Sequence, residues 1–305
     1  MKKIVLILMA AILVVLTGCG KMGKDGRQKM QMDYGAWYYD DESGDNNLPG
    51  VMVMSFNVRY GAADDGDNVW SNRRNACYAM VNTLRPVLMG VQECQKNQRQ
   101  DLINNITGYE VIGRPRKDPV DGNDEQMAIF YQPDSVSITS WGTFWLTEGA
   151  PTTPTKHPAA GHYRCATWAK VKHLRTLKEF YYINTHLDLQ GVRDFELSVI
   201  VSWINGHCGN YPVVMTADWN ESDDNEMFDQ IYNADPPYYN ARRTAKTGDS
   251  YGTFNGFSNP NSSTRIDHVF YKGFSVCTKF ITVRQKWEGV QYISDHYPVY
   301  AILKF

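Results

Sequence analysis

The chain lacks three features that would place it at once in a broad class of protein. Its 31 basic and 33 acidic residues leave no surplus of positive charge. This argues against a protein that binds long nucleic acid nonspecifically, because phosphate neutralisation dominates that affinity. The six cysteines show no C-x-x-C spacing of the kind found in zinc sites. No internal repeat is present, so one sizeable domain with a full core is expected.

The first 49 residues differ in composition from the rest. Two lysines precede an apolar run over residues 4–16, which is too short to span a membrane and is typical of a signal peptide. The sequence Leu16-Thr17-Gly18-Cys19 resembles a bacterial lipobox, which implies cleavage before Cys19 and lipid on its sulfur. Residues 19–49 are rich in Gly, Asp, Lys and Gln, a composition that indicates a flexible tether.

Three segments are therefore predicted: a signal peptide over 1–18, a tether over 19–49 that begins at lipidated Cys19, and a folded domain over 50–305. Cleavage leaves 29 basic against 33 acidic residues, a net charge near −4. It also leaves five scattered cysteines besides Cys19, which cannot all pair and are expected to be buried as apolar residues. We expect a monomer without an obligate protein partner, anchored in the cell envelope, in the outer membrane of a Gram-negative bacterium.

Short apolar strands alternate with a few amphipathic helices in the folded segment. Their hairpin-like spacing favours an α/β (α+β) sandwich over a doubly wound sheet. Residues 141–158, rich in Thr and Pro, are expected to be irregular surface. The Gly- and Asn-rich residues 235–261 are expected to form a substrate-facing rim. The predicted strands are 51–58, 87–91, 109–112, 126–131, 135–138, 162–173, 179–186, 212–215, 265–271, 277–283 and 299–303, and the predicted helices are 70–84, 98–106 and 192–208.

A polar stretch follows the central apolar run of the chain. Residues 212–215 are predicted to form a buried strand, and Asp218 and Asn220 follow where it ends. In an extended segment residues two apart point the same way, so both side chains would face one cleft. A carboxylate that accepts a proton beside an amide that holds an oxygen suits hydrolysis. An Asx-type turn after a strand is the alternative.

Acids, amides and imidazoles also stand at the ends of other predicted strands. They include no thiolate, so the set suits Mg²⁺ or Mn²⁺ rather than structural zinc. A hard cation can polarise a phosphoryl oxygen while an Asp takes a proton from water and a His stabilises the developing charge. The residues are Asn57, Glu93, His186, Asp188, Asp218, Asn220, Asp267, His268, Asp295 and His296.

Six motifs occur in an order that resembles the endonuclease/exonuclease/phosphatase superfamily, and the chain looks like a secreted bacterial lipoprotein member of it. The resemblance implies a four-layer α-β-β-α sandwich of two packed mixed sheets. It also implies in-line attack by water without a covalent intermediate. The motifs are Ser55-Phe56-Asn57, Gln92-Glu93, Thr185-His186, Asp218-Trp219-Asn220, Arg265-Ile266-Asp267-His268 and Ser294-Asp295-His296-Tyr297-Pro298-Val299.

The resemblance implies metal-site roles for three residues. Glu93 matches the acid that binds the divalent ion, and Asn57 matches the amide that supports the metal and the phosphate. Asp295 would assist at the metal. Two positions depart from the family pattern, because Ala217 stands where Gly is frequent and Trp219 where Phe is common. Both changes are apolar and leave the implied chemistry intact.

The resemblance implies catalytic roles for five more residues. His186 matches the histidine that contacts the scissile phosphate. Asp218 matches the acid that activates water, and Asn220 the amide that holds a phosphate oxygen. Asp267 matches the acid that buttresses His296, which acts as a general base or transition-state stabiliser.

Structural alternatives remain for several of these residues. Glu93 could be a helix N-terminal acid, His186 a strand-end histidine, and Asp267 the partner of Arg265 in a surface ion pair. His268 would point to the opposite face of its strand from Asp267, which favours a structural role. Asp188, Arg164 and Arg193 could each either contact substrate or serve only the fold.

The sequence as a whole indicates a divalent-metal-dependent phosphoesterase. Its expected substrate is a small sugar, inositol or nucleotide phosphate rather than DNA. The alternatives are a secreted nuclease of the same fold and a catalytically silent binding lipoprotein on the cell surface. A silent protein should have lost at least one metal, water-activating or histidine position, and none is missing.

Overall fold

The computed structural model describes residues 50–117, 124–189 and 191–305, so the predicted signal peptide and tether lie outside the described residues. Across these ranges the helices are α1 Trp70–Leu84, α2 Lys96–Asn105, α3 Arg193–His207, α4 Asp229–Tyr232 and α5 Ala241–Thr244. The strands are β1 Val51–Asn57, β2 Leu88–Cys94, β3 Glu110–Ile112, β4 Gln126–Tyr131, β5 Val136–Trp145, β6 Cys165–His173, β7 Glu179–His186, β8 Val213–Asp218, β9 Tyr239–Asn240, β10 Thr247–Gly248, β11 Asp267–Lys272, β12 Val276–Thr282 and β13 Val299–Lys304.

Within the described ranges the strands form two mixed sheets. One sheet has seven strands in the order β10-β12-β13-β1-β2-β4-β3, and the other has six in the order β5-β6-β7-β8-β11-β9. Each sheet has one parallel pair at its centre, β1 with β2 and β7 with β8, flanked by antiparallel pairs. The prediction of a sandwich of two mixed sheets is confirmed.

Side chains along each central strand point alternately to the two faces of its sheet, and this divides the buried residues between layers. Val51 and Val53 of β1 point into the core between the two sheets. Met52 and Met54 point the other way and pack with buried residues of α1. In the second sheet Tyr182 lies in the core between the sheets and Ile183 packs with α3. Because successive side chains point to opposite faces, each central strand serves two cores. The result is the predicted α-β-β-α order.

Most predicted elements agree with the structure to within a few residues, but two regions differ. Residues 141–158 were expected to be irregular surface, yet β5 continues to Trp145 and pairs with β6 along its length. Trp145 is fully buried, and its indole N–H donates to the carbonyl of Arg116 at 2.7 Å. Pairing with a distant strand therefore outweighs the local Thr- and Pro-rich composition.

The predicted rim over residues 235–261 is only partly a rim. β9 pairs with β11, and β10 pairs with β12, so the first half of this region closes the edges of the two sheets. Residues 253–256 alone make backbone hydrogen bonds to residues 295 and 297 beside the predicted site. An exposed sheet edge needs a pairing strand or other cover, which explains why the first half of this region forms edge strands.

The five cysteines of the described domain are free and buried, as predicted. No helix in the described part of the chain is long and apolar enough to cross a membrane.

A buried polar network joins the two sheets behind the predicted site. The Gln92 side-chain amide donates to the side-chain oxygen of Asn184 at 2.6 Å and to Ser55 Oγ at 3.1 Å. Asn184 in turn donates to the carbonyl of Val91 at 3.0 Å. Gly90 makes room for this network, because a Cβ there would lie 2.3 Å from Asn184 Oδ1. The glycine therefore allows polar groups to bridge the two sheets.

We expect Gly90→Ala to lower the free energy of unfolding by roughly 1–3 kcal/mol, the usual cost of overpacking a core. The added methyl would displace Asn184 and leave buried polar atoms without partners. Urea denaturation measures the change. Gly206→Ala on the exposed face of α3 is the control, because a Cβ there meets nothing within 4 Å, and helix propensity should raise stability by up to about 1 kcal/mol. Equal stability of Gly90→Ala and the native chain would contradict this account.

Candidate active site

Strand register brings the predicted residues to one edge of the sandwich. His186 is the register partner of Asp218 across the parallel pair β7–β8, and Asp218 is the partner of Asp267 across the antiparallel pair β8–β11. Asn57 ends β1 in the first sheet beside the strand that carries Glu93. Because the carboxyl ends of β1, β2, β7 and β8 share this edge with the amino end of β11, distant motifs meet there.

Asn57 connects the two sheets through its side-chain amide. Nδ2 donates to Glu93 Oε1 at 3.0 Å and to Asp218 Oδ2 at 2.9 Å. Its Oδ1 accepts the backbone N–H of Arg59 at 2.9 Å, which fixes the orientation of the amide. Asn57 thus holds the carboxylates of Glu93 and Asp218 close together, and this residue is almost fully buried.

Glu93 is turned into the site by its backbone. Its φ is +57°, in the left-handed region, which is uncommon for a residue with a side chain. Its Oε2 accepts the backbone N–H of Tyr60 at 2.7 Å. Since α2 begins only at Lys96 and is capped by Gln95, Glu93 does not act as the helix N-terminal acid that was considered as the alternative.

Asp218 is the centre of the cluster. Its Oδ1 accepts the backbone N–H of Asn220 at 2.9 Å, while its Oδ2 lies 3.4 Å from His186 Nε2 and 3.6 Å from His296 Nε2. Burial raises the pKa of Asp218 to about 7, against the opposing effect of the nearby His296. A carboxyl group with such a pKa can exchange a proton near neutral pH.

His296 and Asp267 form a buried hydrogen-bonded pair, with 2.8 Å between Nδ1 and Oδ2. Burial lowers the pKa of His296, but the charges of Asp267 and Asp218 outweigh it and raise this pKa well above the usual value. His296 is therefore a cation at neutral pH, with Nε2 facing Asp218. Asp267 makes no ion pair with Arg265, so the surface-pair alternative does not hold.

His186 has the opposite electrostatic character. Burial, and then the charge of Arg164, lower its pKa well below the usual value, so the ring is neutral. Nδ2 of Asn220 lies 3.0 Å from His186 Nε2 and donates to the carbonyl of Leu187 at 2.8 Å. An amide nitrogen only donates, so Nε2 of His186 accepts and its proton is on Nδ1.

Asn220 lies in the site, but its backbone conformation differs from the extended one that was expected. Its φ is +52°, so the segment after Asp218 turns instead of staying extended. An Asx-type contact, the backbone N–H of Asn220 to Asp218 Oδ1, stabilises this turn. Both amide hydrogens of Asn220 are directed at His186 and Leu187. Its contact with a phosphate oxygen stays a prediction.

Two groups of side chains have donor atoms within 4.8 Å of one another, as a metal ion requires: Glu93 with His186 and Asp218, and Asp218 with Asp267 and His296. In the second group His296 is protonated and already bonded to Asp267, which disfavours a cation. The first group offers two carboxylates held together by Asn57. Carboxylate oxygens fit a hard ion such as Mg²⁺ or Mn²⁺, so the fit lies with Glu93 and Asp218.

Asp295 lies beside this cluster without joining either group. Its Oδ2 is 3.4 Å from Arg59 Nη1, and its Oδ1 lies 3.2 Å from Ser294 Oγ. Burial raises its pKa, and the charge of Glu93 adds to the rise. The geometry places Asp295 near Glu93 but paired with a cation, and its role at a metal stays a prediction.

The other open residues have structural partners. Asp188 accepts the backbone N–H groups of Gly161 and His162 at 2.6 and 3.1 Å, so it anchors a loop. His268 is buried on the far side of β11, where Nε2 lies 2.9 Å from the carbonyl of Glu221, as its structural interpretation predicts. Arg193 is bonded to the carbonyl of Asn220 and pairs with Glu221 at 2.8 Å.

Sequence reasoning missed several residues that position the cluster. Thr253 Oγ1 accepts the backbone N–H groups of Ile266 and Asp267 at 3.0 and 3.1 Å. Ser294 Oγ donates to the carbonyl of Asn57 at 2.7 Å and so ties the last motif to β1. Ser294 was part of a quoted motif, but Thr253 had no signal because its partners are backbone atoms.

One open cavity lies away from the cluster. It has a volume of about 610 Å³ between α3 and the 226–230 segment. Asp194, Glu226 and Asp229 line it, and none of the clustered residues does. An acidic wall repels a phosphorylated substrate, so the chemistry is assigned to the cluster around Asp218.

A sequence model of the Endonuclease/Exonuclease/phosphatase family matches residues 54–296, which contain the whole cluster. The chain belongs to this family. Its members are phosphoester hydrolases that depend on divalent metal ions, and the acidic and imidazole groups gathered here could hold such an ion.

Solved structures agree with membership of the Endonuclease/Exonuclease/phosphatase family. A family protein of Bacteroides vulgatus is 28% identical over 85% of this chain and 100% of its own, with a TM-score of 0.78. A mannosyl-6-phosphatase of Bacteroides thetaiotaomicron is 29% identical over 84% of this chain and 100% of its own, with a TM-score of 0.76. The human Nocturnin catalytic domain, at 17% identity over 84% of this chain and 94% of its own and a TM-score of 0.65, shares the fold.

We expect Asp267→Asn to lower the pKa of His296 in metal-free protein, because the mutation removes the nearest negative charge but keeps a hydrogen-bond acceptor. Phosphoesterase kcat should fall on the order of 10²-fold. NMR titration of the imidazole measures the pKa, and initial rates measure kcat. Asp249→Asn, which changes a carboxylate bonded to Thr282 on the first sheet, is the control. An unchanged His296 pKa in Asp267→Asn would contradict the assignment.

Proposed function

We propose that the chain is a divalent-metal-dependent phosphoesterase that hydrolyses a phosphomonoester or phosphodiester by in-line attack of an activated water, with Mg²⁺ or Mn²⁺ as its ion. One observation carries this proposal. Asp218 Oδ2 lies within 3.6 Å of Asn57 Nδ2, of neutral His186 and of His296. A proton acceptor, a fixed amide and a cationic imidazole are thus aimed at one point.

The residues divide the chemistry between them. Asp218, whose carboxylate lies between the two imidazoles, accepts the proton of the attacking water. His296, kept protonated by Asp267, stabilises negative charge that develops on the phosphoryl oxygens. Neutral His186, oriented by Asn220, lies beside Asp218 through Nε2 and is the proposed contact to the scissile phosphate. Glu93 and Asp218 would hold the ion, whose chemistry is to polarise a phosphoryl oxygen.

A small phosphorylated sugar, inositol or nucleotide is the favoured substrate. The balanced charge of the chain lacks the basic surface that nucleic-acid binding uses. Phe254 is exposed beside the site, with its ring 5.0 Å from that of His296, and offers a surface on which a sugar or a base can pack. Similarity to a mannosyl-6-phosphatase supports the sugar phosphate.

A secreted nuclease of the same fold is the second candidate, since the aromatic surface of Phe254 would also accept a nucleobase. A silent binding lipoprotein is not favoured, because Glu93, His186, Asp218, Asp267 and His296 are all present and clustered. We also propose that the enzyme acts as a monomer on the cell envelope, anchored through lipid on Cys19. That placement rests on the lipobox-like sequence before Cys19.

We expect Asp218→Asn to reduce Mg²⁺-dependent hydrolysis of sugar, inositol and nucleotide phosphates by roughly 10³-fold or more, because an amide cannot take the proton of water. A phosphate-release assay with and without EDTA measures this. Asp134→Asn, an exposed carboxylate in the turn between β4 and β5, should keep full activity. Undiminished turnover by Asp218→Asn in the presence of Mg²⁺ would remove the proposed mechanism.

Glu93→Gln should act on the metal requirement. The substitution replaces the charged carboxylate of Glu93 with a neutral amide. The Mg²⁺ concentration for half-maximal rate should therefore rise by at least about tenfold. A rate titration with Mg²⁺ measures the shift. Glu148→Gln, which changes an exposed acid after β5, should titrate like the native chain. A titration of Glu93→Gln that overlies the native one would show that Glu93 is not a ligand.

A further inference from the structure

A small cavity with cationic walls lies outside the proposed chemistry. Its volume is about 150 Å³. A water occupies about 30 Å³ of liquid, so the cavity holds one small group and not a whole ligand. The lining includes three permanent cations and no carboxylate. The lining residues are Arg116, Lys117, Lys156, Gly161, His162 and Tyr163.

Two buried arginines contribute positive charge here that is only partly matched. The side chain of Arg116 is 10% exposed, bonds Glu125 at 2.7 Å and lies 3.4 Å from Asp124, while its Nη1 is buried without a partner among the described residues. Burial raises the pKa of Glu125 to about 7, so this acid is only partly ionised at neutral pH. Arg164, 5% exposed, lies 3.5 Å from Asp188 and has two buried nitrogens without partners in the described ranges.

A buried cationic nitrogen without a hydrogen bond is costly, and a water or an anion can satisfy it. The two exposed lysines of the cavity wall add further positive charge. Lys156 donates to the carbonyl of Ala160 at 2.9 Å, which places its ammonium on the 157–164 loop. Lys117 lies over the ring of Tyr163, 5.7 Å from its centroid. The arrangement matches a phosphate, which accepts several donors at once.

This cavity flanks the catalytic cluster. Gly161 and His162 are held by the carboxylate of Asp188, two residues after His186. Arg164 directly precedes β6, whose first residues pair with the end of β7 at Thr185. The charges of Arg164, Arg116 and His162 also contribute to the low pKa of His186. A phosphate bound here would therefore lie at the same end of the second sheet as the cluster.

We propose that this cavity binds a second phosphate of the substrate, so that the preferred substrate is a small bisphosphorylated molecule. The inference rests on the proposed phosphoesterase function and adds its substrate class. One phosphate lies at the cluster for hydrolysis, and the other is held by the cations of the cavity and remains intact. The second group contributes affinity and orientation without taking part in bond cleavage.

The test compares sugar bisphosphates with the matching monophosphates by isothermal titration calorimetry of the full chain in EDTA. Hexose 1,6-bisphosphates, pentose bisphosphates and their monophosphates are the probes, and hexose 6-phosphates that carry a carboxylate test whether any anion suffices. We expect at least one bisphosphate to bind about tenfold tighter or more than both the matching monophosphate and its carboxylate analogue. Equal affinity for the bisphosphate, the matching monophosphate and the carboxylate analogue in every set would overturn the proposal.

A variant that removes positive charge from the cavity wall tests whether the cavity causes the preference for the bisphosphate. Lys117→Gln/Lys156→Gln changes two exposed lysines of the wall and should remove the advantage of the bisphosphate over the monophosphate. Lys172→Gln/Lys178→Gln removes the same charge at the opposite end of the β6–β7 hairpin and should keep the advantage. Retention of the advantage in the first variant would overturn the proposal. Equal loss in both variants would also overturn it.

The binding experiment is separable from the proposed function. If the bisphosphate advantage depends on Lys117 and Lys156 but no phosphate is released with Mg²⁺, the cavity assignment stands and the hydrolytic function fails. If monophosphates are hydrolysed but no bisphosphate is preferred, the function stands and the cavity assignment fails.

Discussion

One buried hydrogen bond holds the site together: Asn57 Nδ2 to Asp218 Oδ2, at 2.9 Å. It joins the last residue of β1 in one sheet to the last residue of β8 in the other. The same amide bonds Glu93, so a single side chain aligns both carboxylates. Packing between the two sheets sets the distance that this bond needs, which makes the catalytic geometry a consequence of the sandwich.

Burial then gives each ionisable group a distinct charge. Asp218 is shifted to a pKa near 7, His296 is kept protonated by Asp267, and His186 is kept neutral by its surroundings. The two histidines therefore have different pKa values, and one of them is a cation while the other is neutral. The proton acceptor, Asp218, is distinct from the cation, His296. Arg116 and Arg164 extend this field beyond the cluster to the small cavity. Their charge favours an anionic substrate over a neutral one.

Much of this was predictable from sequence, because the cluster residues end strands and strand ends on one edge converge. The order of layers followed from the resemblance to the family, and the helix over Trp70–Leu84 followed from the spacing of its apolar residues. Asn220 lies in the cluster, but the segment was expected to be extended and instead forms the Asx-type turn that was the alternative, with a positive φ at Asn220. Thr253 and the strand pairing of Tyr239–Asn240 were missed, because both depend on partners distant in sequence.

The central claim is that Glu93 and Asp218 hold one hard ion next to His296. Anomalous diffraction from a crystal of the protein soaked in Mn²⁺ tests it most directly. The account predicts one strong peak roughly 2 Å from a carboxylate oxygen of Glu93, beside Asp218 and on the side away from His268. A Mn²⁺ peak at any other site with none at Glu93 would contradict it.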